Sequence, residues 1–391
     1  MANTLTGIIP TLYEALNTVS REMVGFIPAV RRDSNAERAA VDQVVRVPLG
    51  EAGALEDVTP GVSPANSGDT TVGYTDVKIT KSKAAPVRWN GEEQRAVGSN
   101  GTYNQVLADQ FTDAMRKLVN AVEVDLSLAA KTGASRAYGV ASDVPFKTAG
   151  DLSDFAGIAQ ILDVNGAPGN NDPNYRSLVI NSAAGVNLRK LTNLMTVNAN
   201  GSDQTLRNGI LLPVVGFGVR ESAGVVSHTK GAGTGYDVNN ASGEAVGQTT
   251  ITLDGGTVNS TGIKAGDIVT FATDANNKYV VNTGLTSATG DIVIGNPGIQ
   301  VLVADTTEMT IGDSYTANFG FSKNALVVAT RAPAMPRMGD LSVDVQQVTD
   351  PVTGIVFTFA MYRGYHAVRF EVSAVWGVKA VQSEHIAVLI G

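Results

Sequence analysis

The stretch that decides the fold is YNQVLADQFTDAMRKLVNAVEVDLSLAAKTG, residues 103–133. Its apolar side chains recur every three or four residues, which is the period of one face of a helix. They are Leu107, Phe111, Ala114, Met115, Leu118, Val122, Leu126 and Ala129. The charged residues that fill the other positions are Asp109, Asp113, Arg116, Lys117, Glu123 and Asp125. The pattern predicts a helix roughly 40 Å long that ends at Gly133 and frames an elongated, plate-like domain.

Upstream of this helix the chain reads as an arm followed by a hairpin. Apolar residues spaced three or four apart predict a short amphipathic helix over 10–25, and the polar, basic segment VRRDSNAERAA follows it. VDQVVRVPLG (41–50) and VGYTDVKITKSKAAPVRWN (72–90) alternate like strands. The residues between them are dense in Gly, Pro, Ser and Asp. Because long loops are uncommon in compact domains, this extended hairpin is expected to reach a neighbouring subunit.

Downstream the character changes twice. Residues 151–225 alternate between helical and strand-like runs, which is typical of an α/β domain. Between 222 and 320 nine acidic residues stand against three lysines and no arginine. The short runs TTITL, DIVTFA, KYVVNTGL, DIVIG, IQVLVA and SYTANFGF predict a small barrel or sandwich there. After Lys323 the runs NALVVATRAP, SVDVQQVTD, GIVFTFAMYRG, AVRFEVSAVWGVKAV and HIAVLIG predict further strands. The barrel is therefore read as an insertion into an α/β host.

Composition narrows the functional classes. Charged residues make up only 17% of the 391, against roughly 25% in ordinary soluble domains, which favours a surface covered by other copies of the chain. A net charge of −8 argues against nucleic-acid binding by counterion release. The absence of cysteine excludes disulfides and thiolate chemistry. The N-terminus lacks the features of a signal peptide, and no apolar run is long enough to cross a membrane.

The segment VSHTKGAGTGYDV (226–238) invites a phosphate-loop interpretation because a lysine stands beside three glycines. A phosphate loop of that kind needs the lysine after its glycines and a helix behind it. Here Lys230 precedes the glycines and strand-like sequence follows, so we interpret the segment as a hinge into the inserted domain.

No other catalytic, cofactor or metal constellation emerges. His228, His366 and His385 lack partners at ligand spacing, and His366 reads as a strand residue. The acid pairs Glu92–Glu93 and Glu56–Asp57 lie in loop-like sequence, where solvated charge is expected. The basic stretches VRRDSNAER and KITKSK are expected to be rim charges that meet acids of a neighbouring subunit, and Trp89 and Trp376 core or interface anchors.

Three segments, and the order of the parts, resemble a known family. The family is the major capsid proteins of tailed bacteriophages. TTITLDGGTVNSTGIKAGDIVTFA (249–272) resembles the strands of that family's insertion domain, and AVWGVKAVQSEHIAVLIG (374–391) resembles its closing strands. MANTLTGIIPTLYEAL resembles its N-terminal arm. The coat protein of the short-tailed Salmonella phage group is the most similar type. One departure is that the insertion is shorter and richer in glycine than in that group.

The resemblance implies an α+β fold: the common major-capsid fold of tailed phages, with N-arm, extended β-hairpin loop, long spine helix, peripheral and axial domains, and an inserted small β-barrel-like domain. The implied boundaries are an N-terminal arm at 1–38, the hairpin loop at 39–95, spine helix and peripheral domain at 96–134, an axial α/β domain at 135–221, the inserted domain at 222–322, and a return to the axial domain with the closing peripheral strands at 323–391.

The same resemblance implies a non-enzymatic role in the virion. The expected partners are other copies of the chain in hexamers and pentamers, a scaffolding protein, a portal protein and a decoration protein. The shell would enclose double-stranded DNA without sequence-specific binding, would not contact a membrane, and would assemble in the bacterial host cytoplasm.

Two alternatives stay open. A cargo-enclosing, encapsulin-like nanocompartment would share the fold, although an insertion of this size and a long N-arm are not its usual build. A secreted β-rich adhesin or carbohydrate-binding enzyme would suit the Gly/Thr/Asn-rich middle of the chain. The missing signal sequence and the long charged helix argue against this second alternative.

Overall fold

The computed structural model describes residues 24–49, 60, 73–98, 103–148, 150–170, 172–196, 209, 211, 213–350 and 353–391. Over these ranges the chain is α+β. The helices are α1 (Gly91–Gly98), α2 (Tyr103–Gly133), α3 (Ser153–Val164), α4 (Ser182–Arg189) and α5 (Thr192–Met195), with a short 3-10 helix at Ser383–His385. The strands are β1 (Arg31–Ala39), β2 (Val44–Leu49), β3 (Gly73–Lys78), β4 (Lys81–Asn90), β5 (Arg136–Gly139), β6 (Arg176–Ile180), β7 (Gly218–Glu221), β8 (Ser227–His228), β9 (Tyr236–Val238), β10 (Thr250–Asp254), β11 (Ile268–Phe271), β12 (Asp274–Thr283), β13 (Gly290–Ile294), β14 (Glu308–Ile311), β15 (Tyr315–Ser322), β16 (Leu326–Pro333), β17 (Ser342–Thr349), β18 (Val356–Gly364), β19 (Ala367–Ala380) and β20 (Ile386–Ile390).

Helix α2, hereafter the spine helix, has the bounds that its sequence period predicts. Its buried face carries the predicted apolar residues, of which Ala129 is only half-buried. The prediction of a charged outer face was wrong at Glu123 and Asp125, which are only 1% and 7% exposed. Both acids face polar donors from other segments, and these donors make their burial possible.

The spine helix packs on a six-stranded sheet. Strand β19 is the centre of this sheet, because it pairs with β4 along one edge and with β18 and β16 along the other; β17 and β1 lie outside these. The contact between helix and sheet is aromatic: the Phe111 ring lies edge-on to Phe359 and Phe370, at centroid distances of 6.2 and 5.6 Å. Helix and sheet thus enclose the largest hydrophobic core of the described residues.

Residues 31–39 of the N-terminal arm form a strand that the sequence did not predict. The polar segment VRRDSNAERAA contains strand β1, which runs parallel to β16 from Arg31 opposite Val327 to Ala39 opposite Pro333. Its side chains are mostly exposed, so the segment lacks the apolar alternation by which a strand is recognised. The amphipathic helix predicted over 10–25 lies outside the described residues, except for Val24 and Gly25.

The hairpin is confirmed at its base and corrected in its second strand. Strands β2 and β3 pair antiparallel from Val44 opposite Lys78 to Leu49 opposite Gly73. The run predicted as one strand over 72–90 is two strands, since Ile79 and Thr80 separate β3 from β4, which belongs to the six-stranded sheet. The connecting loop, apart from Pro60, lies outside the described residues.

A second sheet runs β5-β20-β15-β6-β7, and helices α3 and α4 cover it over a separate core. This arrangement confirms the α/β character predicted for 151–225. The described residues of GILLPVVGFGVRES (209–222) form β7 and a bridge between Val214 and Phe217. SYTANFGF forms β15, which pairs with β20 and β6 and is therefore part of this sheet and not of the barrel.

Six strands between Tyr236 and Ile311 close into a ring, in the order β11-β14-β9-β10-β13-β12 and back to β11. All pairs are antiparallel, and the ring encloses an apolar core of its own. Strand β12 also pairs with β5 at Lys278 and Tyr279, which joins the ring to the second sheet. The strand predicted at IQVLVA was wrong: Val303 makes one bridge with Glu244. The division of the chain into domains stays a prediction.

Candidate functional site

The first notable site is a buried carboxylate that joins three distant segments. Glu123, on the spine helix, accepts hydrogen bonds from the backbone N–H groups of Gly25 (3.1 Å), Phe26 (3.0 Å) and Ile27 (2.7 Å). The Ser222 hydroxyl donates to the same carboxylate at 2.6 Å. We call this set the Glu123 node. It fixes the N-terminal segment and the start of the predicted insertion to one turn of the spine helix.

Burial raises the pKa of Glu123, while its four hydrogen-bond donors act in the opposite direction. The fit around this side chain is tight, because a Cβ added at Gly224 would lie 2.7 Å from the Glu123 Cβ. A side chain at position 224 would therefore collide with Glu123, so the node requires glycine at that position.

Asp125, two residues further along the spine helix, forms a second node. Its carboxylate accepts a hydrogen bond from Trp376 Nε1 at 2.8 Å and a charged hydrogen bond from Lys81. Trp376 is fully buried in β19, and Lys81 is the first residue of β4. We call this set the Asp125 node, and it fixes the helix to the two strands nearest the hairpin base. Trp89, the other predicted anchor, is buried and donates to Gln110 at 2.8 Å.

A third buried polar site joins the ring to strand β8 and the segment that follows it. Asp267 is fully buried and contacts His228 Nε2 at 2.7 Å. The backbone N–H groups of Gly231 (2.9 Å) and Lys264 (2.7 Å) donate to the same carboxylate. We call this set the Asp267 node. The pairing of His228 was missed in the sequence because its partner lies 39 residues away.

The environment of the Asp267 node explains its position. The Tyr315 ring lies 5.3 Å from the His228 ring, and its hydroxyl donates to Gly266 O at 2.7 Å. Burial raises the pKa of Tyr315 and lowers that of Lys131, near the end of the spine helix. A Cβ added at Gly266 would lie 3.1 Å from Lys131 Cε and 3.3 Å from His228 Cε1, so the ring packs closely against the end of the spine helix here.

The glycine-rich segment that invited a phosphate-loop interpretation is a packed connection. Gly231 and Gly233 are buried, and a Cβ at Gly231 would lie 2.2 Å from Gly262 O. Strand β9 follows, where a phosphate loop would need a helix. The exposed Lys230 pairs with Asp313 at 2.7 Å.

The other singled-out residues do not come together. His366 was predicted as a strand residue but lies in the turn between β18 and β19, with φ of 50°. His385 lies in the 3-10 helix, where burial lowers its pKa. Glu92 and Glu93 were read as loop residues but begin helix α1, where Glu93 and Asn90 exchange side-chain to backbone hydrogen bonds of 2.7 and 3.0 Å. Glu56 and Asp57 lie outside the described residues.

The basic arm residues contact the chain's own sheet where their partners are described. Arg38 donates to Pro333 O at 3.0 Å, and Asp33 pairs with Arg331 at 3.2 Å. In KITKSK, Lys78 pairs with Asp42 at 2.8 Å and Lys81 with Asp125, so the expectation that these two lysines meet acids of a neighbouring subunit was wrong. For the other basic residues the expectation stays a prediction.

Within the described ranges, no group of three or more His, Asp or Glu side chains is arranged to hold a metal ion. None of the helices in the same part of the chain is both long and apolar enough to cross a membrane.

Two surface features remain. A groove of about 610 Å³ lies between β4 and the spine helix, and we call it the β4–spine groove. At the end of the six-stranded sheet where β17 begins and β18 turns into β19, three apolar side chains are almost fully exposed: Met338 (98%), Tyr365 (93%) and Leu341 (89%). Solvated apolar groups of this size in one region are typical of a contact surface.

Comparison with known proteins gives the following. No family model and no curated protein matches the chain. Among solved structures it is similar to one titled as the capsid of the cyanophage P-SCSP1u, with 11% identity over 93% of this chain and 87% of that one and a TM-score of 0.48. It is similar to the mature capsid of bacteriophage PhiM1, with 10% identity, 94% and 86% coverage and a TM-score of 0.42. A virus-like particle from Pyrococcus furiosus gives 13% identity, 97% and 98% coverage and a TM-score of 0.41. At identities of 10–13% and TM-scores below 0.5, these similarities extend no further than a similar course of the chain.

Proposed function

We propose that this chain is a structural shell protein that assembles with copies of itself. The observation that carries the proposal is the plate formed by the 31-residue spine helix on the six-stranded sheet, continued by the β2–β3 ribbon. Its described polar nodes hold distant segments together, and none presents a reactive group to an open cavity. A plate with exposed apolar side chains at one end suits contact between copies better than it suits catalysis.

In finer detail, we infer hexamers and pentamers of an icosahedral shell, located in the virion, around double-stranded DNA. The low charged fraction and the net charge of −8 support this, because an acidic shell contains DNA without binding it tightly. Scaffolding, portal and decoration proteins are the partners that such a shell requires or accepts, and assembly in the bacterial cytoplasm follows from the same inference.

We assign each part a role within the proposal. The spine helix, the hairpin base and strands β17–β19 form the peripheral body, and the second sheet with α3 and α4 forms the body near the capsomer axis. The outer part of the hairpin, with its loop (50–72), extends over an adjacent copy. The part of the arm that precedes β1 contacts a neighbouring capsomer, and the ring of strands β9–β14 lies on the outer face.

An encapsulin-like compartment is the second candidate, since it is also a shell of identical chains. The two differ in content: a capsid encloses nucleic acid, whereas a nanocompartment encloses a co-expressed protein. A surface adhesin would form neither kind of particle.

Sedimentation velocity of the purified protein tests the proposal. We expect particles of many copies from the wild type, and nuclease treatment with content analysis separates capsid from compartment. Deletion of 52–70 is expected to preserve the circular dichroism spectrum and abolish the particles, because the hairpin is the proposed reach to a neighbour. Wild-type protein that sediments only as a monomer or small oligomer, with and without a candidate scaffold, would overturn the proposal.

A further inference from the structure

The exposed apolar group at the end of the six-stranded sheet has a basic rim. We call its three side chains the sheet tip; they are Met338, Leu341 and Tyr365. Arg337 and Arg363 lie beside them in the chain and are exposed, and no ion pair to either occurs among the described residues. Asp340, the acid of this surface, already accepts hydrogen bonds from the Ser342 backbone and the Tyr362 hydroxyl. The sheet tip therefore presents apolar side chains together with two arginines that have no acidic partner in the described part of the chain.

A second exposed apolar group lies on the ring, and we call it the ring patch. Residues 244–247 run antiparallel to residues 299–303, through the bridge between Glu244 and Val303. Three side chains of these two segments are exposed: Val246 (64%), Leu302 (57%) and Val301 (43%). Apolar side chains grouped in this way are typical of a surface that another molecule covers.

The rim of the ring patch is acidic. The exposed Asp305 accepts a hydrogen bond from Asn240 N at 2.9 Å, in the turn that leads into residues 244–247. Glu308 follows, and it lies directly opposite Asp237 on the neighbouring strand. Residues 231–263 and 279–322 contain no lysine, arginine or histidine. Like charges opposite each other destabilise a sheet, so cations from outside the ring would stabilise these acids.

The two surfaces lie near opposite ends of the spine helix. Beside the turn that carries part of the sheet tip, Trp89 pairs with Val368, and its ring lies 5.4 Å from that of Tyr103, the first residue of the helix. The ring packs on the other end, where a Cβ at Gly266 would lie 3.1 Å from Lys131 Cε. The 31 residues of the helix span about 45 Å. The ring patch and the sheet tip of one chain therefore do not meet, although their charges and apolar centres match.

We infer that the ring patch of one copy packs against the sheet tip of a second copy, with the acids of the ring facing the arginines of the tip. Apolar side chains form the centre of this contact and charges form its rim, as is typical of protein interfaces. Because the contact joins different surfaces of identical chains, it repeats from copy to copy and closes where the rotation between copies permits. Three side chains on each side form a core smaller than that of a standard interface of roughly 800 Å² per partner, so the contact acts beside others in the assembly. This inference rests on the proposed function and specifies which surfaces meet.

The absence of cysteine makes the contact directly testable by cross-linking. Leu302→Cys and Tyr365→Cys each introduce one thiol, and a short bismaleimide joins thiols of copies that are in contact. A mixture of the two variants, assembled together, is expected to give a covalent dimer that is concentrated in the particle fraction. Each variant assembled alone is expected to give no such dimer, because its thiol then faces a surface without one. The matched control mixes Tyr365→Cys with Val164→Cys, an exposed position on helix α3, and is expected to give no dimer.

The pattern of cross-links decides between the possible contacts. A dimer from Tyr365→Cys alone would mean that two sheet tips meet, and a dimer from Leu302→Cys alone would mean that two ring patches meet; either result overturns the inference. Particles without a cross-link between the two variants also overturn it, while leaving the proposed function standing. Absence of wild-type particles would instead overturn the proposed function.

Charge reversal measures the same contact independently, and it replaces the cross-linking test if the cysteine variants do not assemble. The tip variant is Arg337→Glu with Arg363→Glu, and the ring variant is Asp305→Lys with Glu308→Lys. Each is expected to lower the assembled fraction about tenfold in sedimentation velocity, because attractions become repulsions. All four substitutions in one chain are expected to restore assembly.

The matched control for charge reversal is Lys190→Glu with Lys323→Glu, which reverses two exposed charges outside both surfaces and is expected to leave assembly near the wild-type level. Circular dichroism verifies that each variant keeps its fold, which is expected because the substituted side chains are exposed. Unimpaired assembly of the tip variant, or no recovery in the chain with four substitutions, would contradict the inference.

Discussion

The spine region consists of the spine helix and the six-stranded sheet on which it packs. This region and the ring of strands β9–β14 each bury an apolar core, but different contacts hold the two cores together. The ring closes an apolar core from residues 236–311, and its buried Asp267 and Asp274 find partners at most 39 residues away. The spine region is held by Glu123 and Asp125, whose partners lie up to 99 and 251 residues away. The ring is therefore a locally formed unit, whereas the spine region becomes stable only when the arm, the hairpin base and the closing strands are all in place.

The largest expected effect comes from the centre of the spine region. Trp376→Ala removes a fully buried ring and leaves Asp125 with Lys81 alone, so we expect a loss of about 3–5 kcal/mol in the free energy of unfolding. Both tryptophans of the chain lie in this region, so the fluorescence of Trp89 in urea reports it specifically. Hydrogen exchange of residues 236–311 should change little. If the ring lost as much protection from hydrogen exchange as the spine region, the ring would not be an independently stable unit.

Glu123→Gln is expected to cost about 1–3 kcal/mol at neutral pH. The amide cannot accept all four hydrogen bonds and brings an N–H group against existing donors. Asp109→Asn, at an exposed position of the same helix, is the control and should change stability by less than about 0.5 kcal/mol.

The same pair of proteins tests the pH dependence of the Glu123 node. Burial raises the pKa of Glu123 above its value in the unfolded chain. The folded protein therefore binds a proton at the Glu123 carboxylate more readily than the unfolded chain does. The advantage of wild type over Glu123→Gln should be largest below the ordinary pKa of glutamate, about 4.3, and should fall as the pH rises through the raised value. Urea titrations at several pH values measure it; an advantage that grows with pH would show that hydrogen bonding outweighs burial.

His228→Ala sharpens the contrast at the boundary between the two regions. It removes the 2.7 Å contact to Asp267, which keeps its backbone donors, so we expect a loss of about 1–2 kcal/mol. Faster hydrogen exchange should be confined to the segments around 228–231 and 264–267. His366→Asn, in an exposed turn, is the control. Exchange that spreads through the whole ring would mean that the ring depends on its junction.

The smallest effect is expected at the ribbon surface. Arg46 pairs with Asp76 at 3.2 Å and lies 3.9 Å from the centroid of the Tyr74 ring. Both contacts are partly exposed to solvent, so Arg46→Ala should cost no more than about 1 kcal/mol. A thermal unfolding scan is sufficient to measure this. A loss above about 2 kcal/mol would contradict the description of the contacts of Arg46 as partly exposed surface contacts.

Local periodicity predicted most of the fold. The spine helix, the paired strands of the hairpin base and the long closing strands each carry a two- or 3.6-residue period in a single stretch. Strand β1 was missed because its polar side chains carry no such period, and β9 because three residues are too few to establish one. The run IQVLVA was wrongly predicted as a strand, because Ile299 and Val303 are buried although the backbone that carries them is irregular.

The polar nodes could not be predicted in the same way. Glu123 and Asp125 occupy positions that a helical wheel assigns to a charged face, and only the tertiary structure brings Phe26, Ser222 and Trp376 to them. His228 and Asp267 meet for the same reason. A buried carboxylate is determined by distant donors, so its sequence neighbourhood carries no signal of it.

Negative-stain electron microscopy of the protein, expressed alone and with a candidate scaffold, shows whether copies of the chain form a shell. We expect closed shells or curved sheets of one repeating unit, with the plate of spine helix and six-stranded sheet as its body. Uniform small oligomers under both conditions would contradict this expectation.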